Sequence, residues 1–182
     1  MAKVIPYPWF SIVSGDELEQ GDILENCPVF HPPEDLTLEA EIKLNDAKFQ
    51  WNDRDLIIMS QSCDISKGGE KVQEILLCAV WKRSELKGHL AQDAGMEEAR
   101  KGRIPSVHVL AASNLMGFER EVRVVDFRQI HTLPIGFVRK RASMEKRLRL
   151  LPPYREHLSQ SFARFFMRVG LPIDIPSFSS KK

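Results

Sequence analysis

The segment Met59-Ser60-Gln61-Ser62-Cys63-Asp64-Ile65-Ser66 places a thiol and three hydroxyls directly after the apolar run Leu56–Met59. A cysteine at the end of a buried strand is a candidate nucleophile, and a cysteine-dependent hydrolase centred on Cys63 is one reading. Such a thiol needs a nearby cation, an imidazole or a helix N-terminus to ionise. Its neighbour in sequence is Asp64, and a carboxylate opposes thiolate formation. The alternative is a small buried residue, with Asp64 capping the following turn. Ser60 and Ser62 read as turn formers, because no Gly-x-Ser-x-Gly elbow surrounds them. Gly68-Gly69 precedes no Gly-Lys-Ser/Thr, so it is no phosphate loop.

A second candidate is "RKRASMEKRLR" over 139–149, read as a loop-and-strand segment. Arg139, Lys140, Arg141, Lys146, Arg147 and Arg149 would supply the several cations a nucleic-acid backbone requires. Phe137 and Tyr154 flank the run and could stack on bases. The competing reading is a solvated hairpin. His131 and Thr132 are neighbours on a predicted strand, so they face opposite sides and cannot share one site without a bulge.

Charge is unevenly spread along the chain. Residues 16–46 carry ten acidic residues against Lys43 alone, and residues 119–149 carry nine basic against four acidic. The two segments either neutralise one another as neighbours or create a basic face for a polyanion or for a second copy, giving a homodimer.

The elements that must position these groups follow from periodicity. A chain of 182 residues, 43% hydrophobic and 28% charged, suits one soluble domain, taken as 1–176 with a disordered tail over 177–182. Residues 36–44 alternate strictly between apolar and polar, and Asn45-Asp46 then turns the chain toward Phe49 and Trp51, which predicts a hairpin. Residues 56–61 and 74–80 are apolar on both faces and predict central strands. Shorter strands are expected over 106–110, 122–127, 129–133 and 148–151. Ser84 is a candidate cap for a helix over about 84–102. Tyr154, Leu158, Phe162, Phe165, Phe166 and Val169 recur at helical spacing after Pro153 and before Gly170, which predicts a terminal amphipathic helix over 153–169.

Cys27, Cys63 and Cys78 match neither a disulfide framework nor zinc-ligand spacing, so neither metal nor cofactor is expected. No apolar run is long enough to span a bilayer and no signal sequence is evident, so a cytoplasmic protein without membrane contact is expected.

The order of these pieces resembles a known family. "GDIL" (21–24), "RDLIIMSQ" (54–61), "EILLCAVW" (74–81), "VVDFRQIHTL" (124–133) and the terminal helix are similar to the MazF/PemK-like toxins. The resemblance implies a mainly β (α+β) fold: a small SH3-like β-barrel over about 20–151, with an inserted helix and a C-terminal helix as its lid. It also implies ribonuclease chemistry in which Arg54 offsets charge on the scissile phosphate with a Thr or Ser beside it. Here Asp55 follows Arg54 where the family carries proline, and the nearest hydroxyl to the Thr position is Ser84. The expectation is therefore a toxin-like barrel with degraded catalysis that binds RNA or a protein partner. An active endoribonuclease using Arg54, with Ser60 or Ser84 supplying the hydroxyl, is the alternative. A toxin–antitoxin or phage-defence setting comes with that resemblance. Separately, "PPYREHLSQSFARFFMRVGLP" (152–172) resembles the ending of a group of uncharacterised bacterial proteins, and brings no activity with it.

Overall fold

The computed structural model describes residues 7–31 and 50–167. The predicted hairpin over 36–44 and the tail over 177–182 lie outside the described residues. Central strands are β3 (Gln50–Ile58) and β4 (Glu74–Lys82), paired antiparallel. Around them lie β1 (Phe10–Val13), β2 (Asp22–His31), β5 (Val107–Leu110), β8 (Arg123–Pro134) and β9 (Arg147–Leu150). All seven form one antiparallel sheet in the order β1-β9-β2-β3-β4-β8-β5. A separate hairpin joins β6 (Ser113–Leu115) to β7 (Phe118–Arg120). The helices are α1 (Ser62–Ile65), α2 (Asp93–Arg100), α3 (Ile135–Met144) and α4 (Tyr154–Phe166). None of these is long and apolar enough to cross a membrane.

The mainly β, α+β character is as expected from the sequence. Barrel closure is not shown: the end strands β1 and β5 do not pair with each other among the described residues. The sheet curls instead. Phe10 of β1 and Leu110 of β5 sit in one core with Ile57, Cys78, Phe127, Leu148 and Leu158. α4 seals this core, with Phe162 and Phe165 against Phe127 at 5.3 and 6.0 Å between ring centroids.

A second core lies on the reverse face, where Leu56, Ile58, Ile75 and Leu77 meet Val138 and Ala142 of α3. The continuous apolar character of β3 and β4 follows from this two-sided burial. Two irregularities let β2 and β8 serve both cores. The β2 register shifts between Leu24 and Cys27, where Asn26 adopts φ 50° and its amide donates to Asp55 Oδ1 at 3.0 Å. The β8 register shifts opposite Cys78 and Ala79. Such bulges bend a strand and redirect its side chains. Ile23 and Phe127 thus point into the first core, and Val29 and Leu133 into the second.

Three expected elements differ. The predicted 84–102 helix is two 3-10 turns, Arg83–Glu85 and Gly88–Ala91, followed by α2. The first turn ends at the extended Leu86, and Gly88, at φ 63°, opens the second. Gly95 then lets α2 lie against the second turn, since a Cβ there would stand 2.1 Å from the His89 carbonyl oxygen. The loop expected at the start of 139–149 is helix, since α3 runs to Met144, and the strand expected after it is β9. The strands expected over 122–127 and 129–133 are one bulged strand, β8.

His108 of β5 lies against Phe127, with ring centroids 6.5 Å apart. Burial, and then the neighbouring His157, push it from 6.5 down to about 4. Between those values the unfolded chain binds a proton that the folded chain does not, so stability falls as pH drops through that window. Stability is expected to be about 2 kcal/mol lower at pH 5 than at pH 7 on this account. Urea denaturation at the two pH values checks this, and His108→Gln should remove most of the difference.

Candidate functional site

The basic run is drawn largely into the protein. Asp22 is fully buried, and its carboxylate takes Arg147 Nε at 2.8 Å and Arg149 Nη2 at 3.0 Å. Arg149 Nε also donates to Asp22 Oδ1, and Arg149 reaches Glu19. Arg147 further donates to the carbonyls of Gly15 at 2.8 Å and Ala142 at 3.2 Å, and to that of Glu17. Arg139 pairs with Glu70 and donates to the Ile65 carbonyl at 3.0 Å. Arg141 donates to the Glu25 carbonyl at 2.8 Å and to Glu145 at 3.1 Å. Of the six cations, Lys140 and Lys146 are exposed. The run therefore presents two exposed cations to a polyanion, not six. The acidic and basic segments are neighbours in space, since Glu25 likewise holds Arg120 and Arg123.

The 59–66 segment is built by its own hydroxyls. Ser60 Oγ accepts the Leu76 amide at 2.8 Å and Ser62 Oγ accepts the Gln20 amide at 3.1 Å. The Gln20 side chain donates to the Met59 carbonyl at 2.8 Å. Cys63 is exposed, which corrects its reading as a buried small residue. Its thiol donates to Asp64 Oδ1 at 3.5 Å, and Asp64 pairs with Lys71 at 3.0 Å. That ammonium, and then the thiol hydrogen bond, hold Asp64 below its ordinary pKa. The thiol faces a groove of about 430 Å3 shared with Gln20, Gln61, Arg155, Glu156 and Ser159. Among the described residues no imidazole lines this groove.

Arg54 stands apart from these networks. It is half-buried on β3, one residue before the Asp55–Val80 pair that ends the β3–β4 ladder, with its guanidinium carbon 4.8 Å from the ring centroid of Trp81 on β4. Strand alternation sends Asp55 to the other face, where its carboxylate holds the Asn26 amide. The neighbouring carboxylate thus leaves the guanidinium alone, and Arg54 makes no ion pair with a described residue. Two histidines complete the patch. His131 of β8 lies 6.4 Å, ring to ring, from His31 at the end of β2. Burial first, then His31 and Arg54, lower the His131 pKa, and its Nε2 is buried without a hydrogen-bond partner.

The three residues proposed for catalysis are not brought together. Ser60 lies six residues along the chain from Arg54, about 20 Å for extended backbone, and Cys63 lies further on in α1. Ser84 is nearer the Trp81 end, but its hydroxyl donates to Glu121 Oε1 at 2.6 Å. Sequence reasoning missed Trp81 and His131 as neighbours of Arg54, and His31 as the neighbour of His131, because these approaches depend on strands far apart in the chain. Among the described residues no cluster of His, Cys, Asp and Glu could hold a metal ion.

The thiols separate cleanly by burial. Burial pushes Cys27 up to about 11 and Cys78 up to about 12. A thiol reagent at pH 8 is expected to modify Cys63 in the folded protein and to spare the other two until denaturant is added, as peptide mass mapping would show. No protein-family model matches the chain, and no curated protein matches it.

Proposed function

We propose that the protein is a toxin-like binding module, SH3-like and MazF/PemK-like in plan, that binds single-stranded RNA through the Arg54 face and does not cut it. One observation carries this reading: Arg54 is free of any described carboxylate and lies over the Trp81 ring, beside the His31–His131 pair. A guanidinium presents a fork that fits phosphate oxygens, and an adjacent aromatic or imidazole plane offers a stacking surface for an unpaired base. The curled antiparallel sheet with a terminal helix on its core is compatible with the family plan. The loss of cleavage is supported by the hydroxyls: Ser84 is tied to Glu121, and Ser60 stands at the far end of the strand.

The imidazole pair favours a second reading, an endoribonuclease. There His131 would take the proton from a ribose 2′-hydroxyl as it attacks phosphorus, and His31 would protonate the departing 5′-oxygen, with Arg54 offsetting the charge.

Fluorescence anisotropy with a labelled mixed-sequence RNA tests the proposal. Arg54→Ala is expected to weaken binding by about tenfold or more, and the joint change Lys140→Ala with Lys146→Ala by less. Unchanged affinity in Arg54→Ala would refute the assignment of this face. The same RNA run on a denaturing gel should stay intact; cleavage that Arg54→Ala abolishes would establish the second reading instead.

A further inference from the structure

Among the described residues β5 ends the sheet, and no described strand lies on its outer side. The Phe127 amide donates to the Ser106 carbonyl at 2.9 Å, which sets the phase of the β5–β8 ladder. Bonded pairs alternate in an antiparallel ladder, so His108 and Leu110 exchange bonds with Val125 and Arg123. Val107 and Val109 then turn their backbone groups the other way. The Val107 amide is closed onto the Ile104 carbonyl at 3.2 Å. The Val107 carbonyl and both backbone groups of Val109 are left facing away from β8.

Proteins usually blunt such an edge with charge, proline or a bulge. This one is apolar and recessed. Met96 and Ala99 of α2 pack with Val107 on one side. Tyr154 and His157 of α4 stand on the other. The edge forms the floor of a cleft of about 880 Å3 between them. Its rim carries Arg83, Arg100, Lys101 and Arg164 against Asp93 and Glu97. Arg164 is exposed, whereas Arg83 pairs with Asp93 and both Arg100 and Lys101 pair with Glu97.

The geometry points to a second binding site in which an extended peptide of a partner protein, alternating apolar and acidic residues, adds as a further strand on the free edge of β5 between α2 and α4. Backbone donors and acceptors repeated at strand spacing are satisfied in series by another extended backbone. The rim carries two more cations than carboxylates, and the exposed Arg164 pairs with no described carboxylate, which favours acidic side chains in the ligand. The site is independent of the RNA reading, since β4 and β8 separate β5 from Arg54 of β3.

Titration of the 15N-labelled full chain with acetyl-Val-Asp-Val-Glu-Val-Asp-amide tests this. The expected result is a saturable shift of the Val109 amide together with slowed hydrogen exchange there, while the His108 and Leu110 amides keep the protection they already have. N-methylation of the peptide at alternate residues should cost about tenfold or more in affinity in one register and little in the other, and the lysine counterpart should bind about tenfold more weakly. Val109→Pro removes the outward donor without touching the β8 ladder, so it should lose the peptide and keep RNA affinity. If that variant fails to fold, the two methylated registers decide the matter. No saturable shift at about 1 mM peptide, equal losses from both methylation registers, or a shift produced by hexauridylate and not by peptide would each overturn the proposal.

Discussion

A carboxylate with no exposure to water sits between two guanidinium groups at the entrance of β2. Asp22 accepts from Arg147 and Arg149 and also from the Glu19 amide at 3.2 Å. Removing such charges from water costs several kcal/mol per ion, and only dense, well-aligned bonding offsets that cost. The partners here are numerous enough to do so, since Arg147 also ties the carbonyls of Gly15, Glu17 and Ala142. One carboxylate therefore fixes the pairing of β2 with β9, the approach of the 15–19 loop and the end of α3. The value of the cluster is specificity: it opposes a slipped register, because a slip would bury a charge without its partner.

This clamp also decides which cations remain for a ligand. The charge asymmetry of the sequence is spent inside the molecule, through Asp22, Glu19 and Glu25 on one side and Arg120, Arg123, Arg147 and Arg149 on the other. What is left over is sparse and placed by the sheet. The bulges in β2 and β8 turn their outer halves over the second core, and that turn brings His31 to His131. Arg54 and Trp81 meet because each lies one residue beyond Asp55 and Val80, the last pair of the β3–β4 ladder. The Arg54 patch is thus a product of strand pairing, and no local motif encodes it.

The parts legible in the sequence were those with strong local periodicity. The apolar runs of β3 and β4 are two-sided because both faces are buried, and the aromatic spacing of α4 marks a helix that seals a core. Arg54 was singled out by the family resemblance alone, through its place before an apolar strand. α3 was hidden because Arg139, Lys140 and Arg141 crowd a short helix whose inward positions, Ile135, Val138 and Ala142, give only a narrow stripe. The exposure of Cys63 was hidden because chain direction after β3 is set by Ser60 and Ser62 bonding to distant backbone. The buried clamp was least visible of all, since its members lie 125 and 127 residues apart.

The most direct measurement is the urea unfolding of Asp22→Asn against the parent chain. The substitution keeps the side-chain volume, leaves the buried Arg147 without its counter-charge and leaves Arg149 with Glu19 alone. A loss of about 3–5 kcal/mol is predicted, or failure to fold if the parent is less stable than that. A loss below about 1 kcal/mol, the range of an exposed ion pair, would contradict the central place given to this carboxylate.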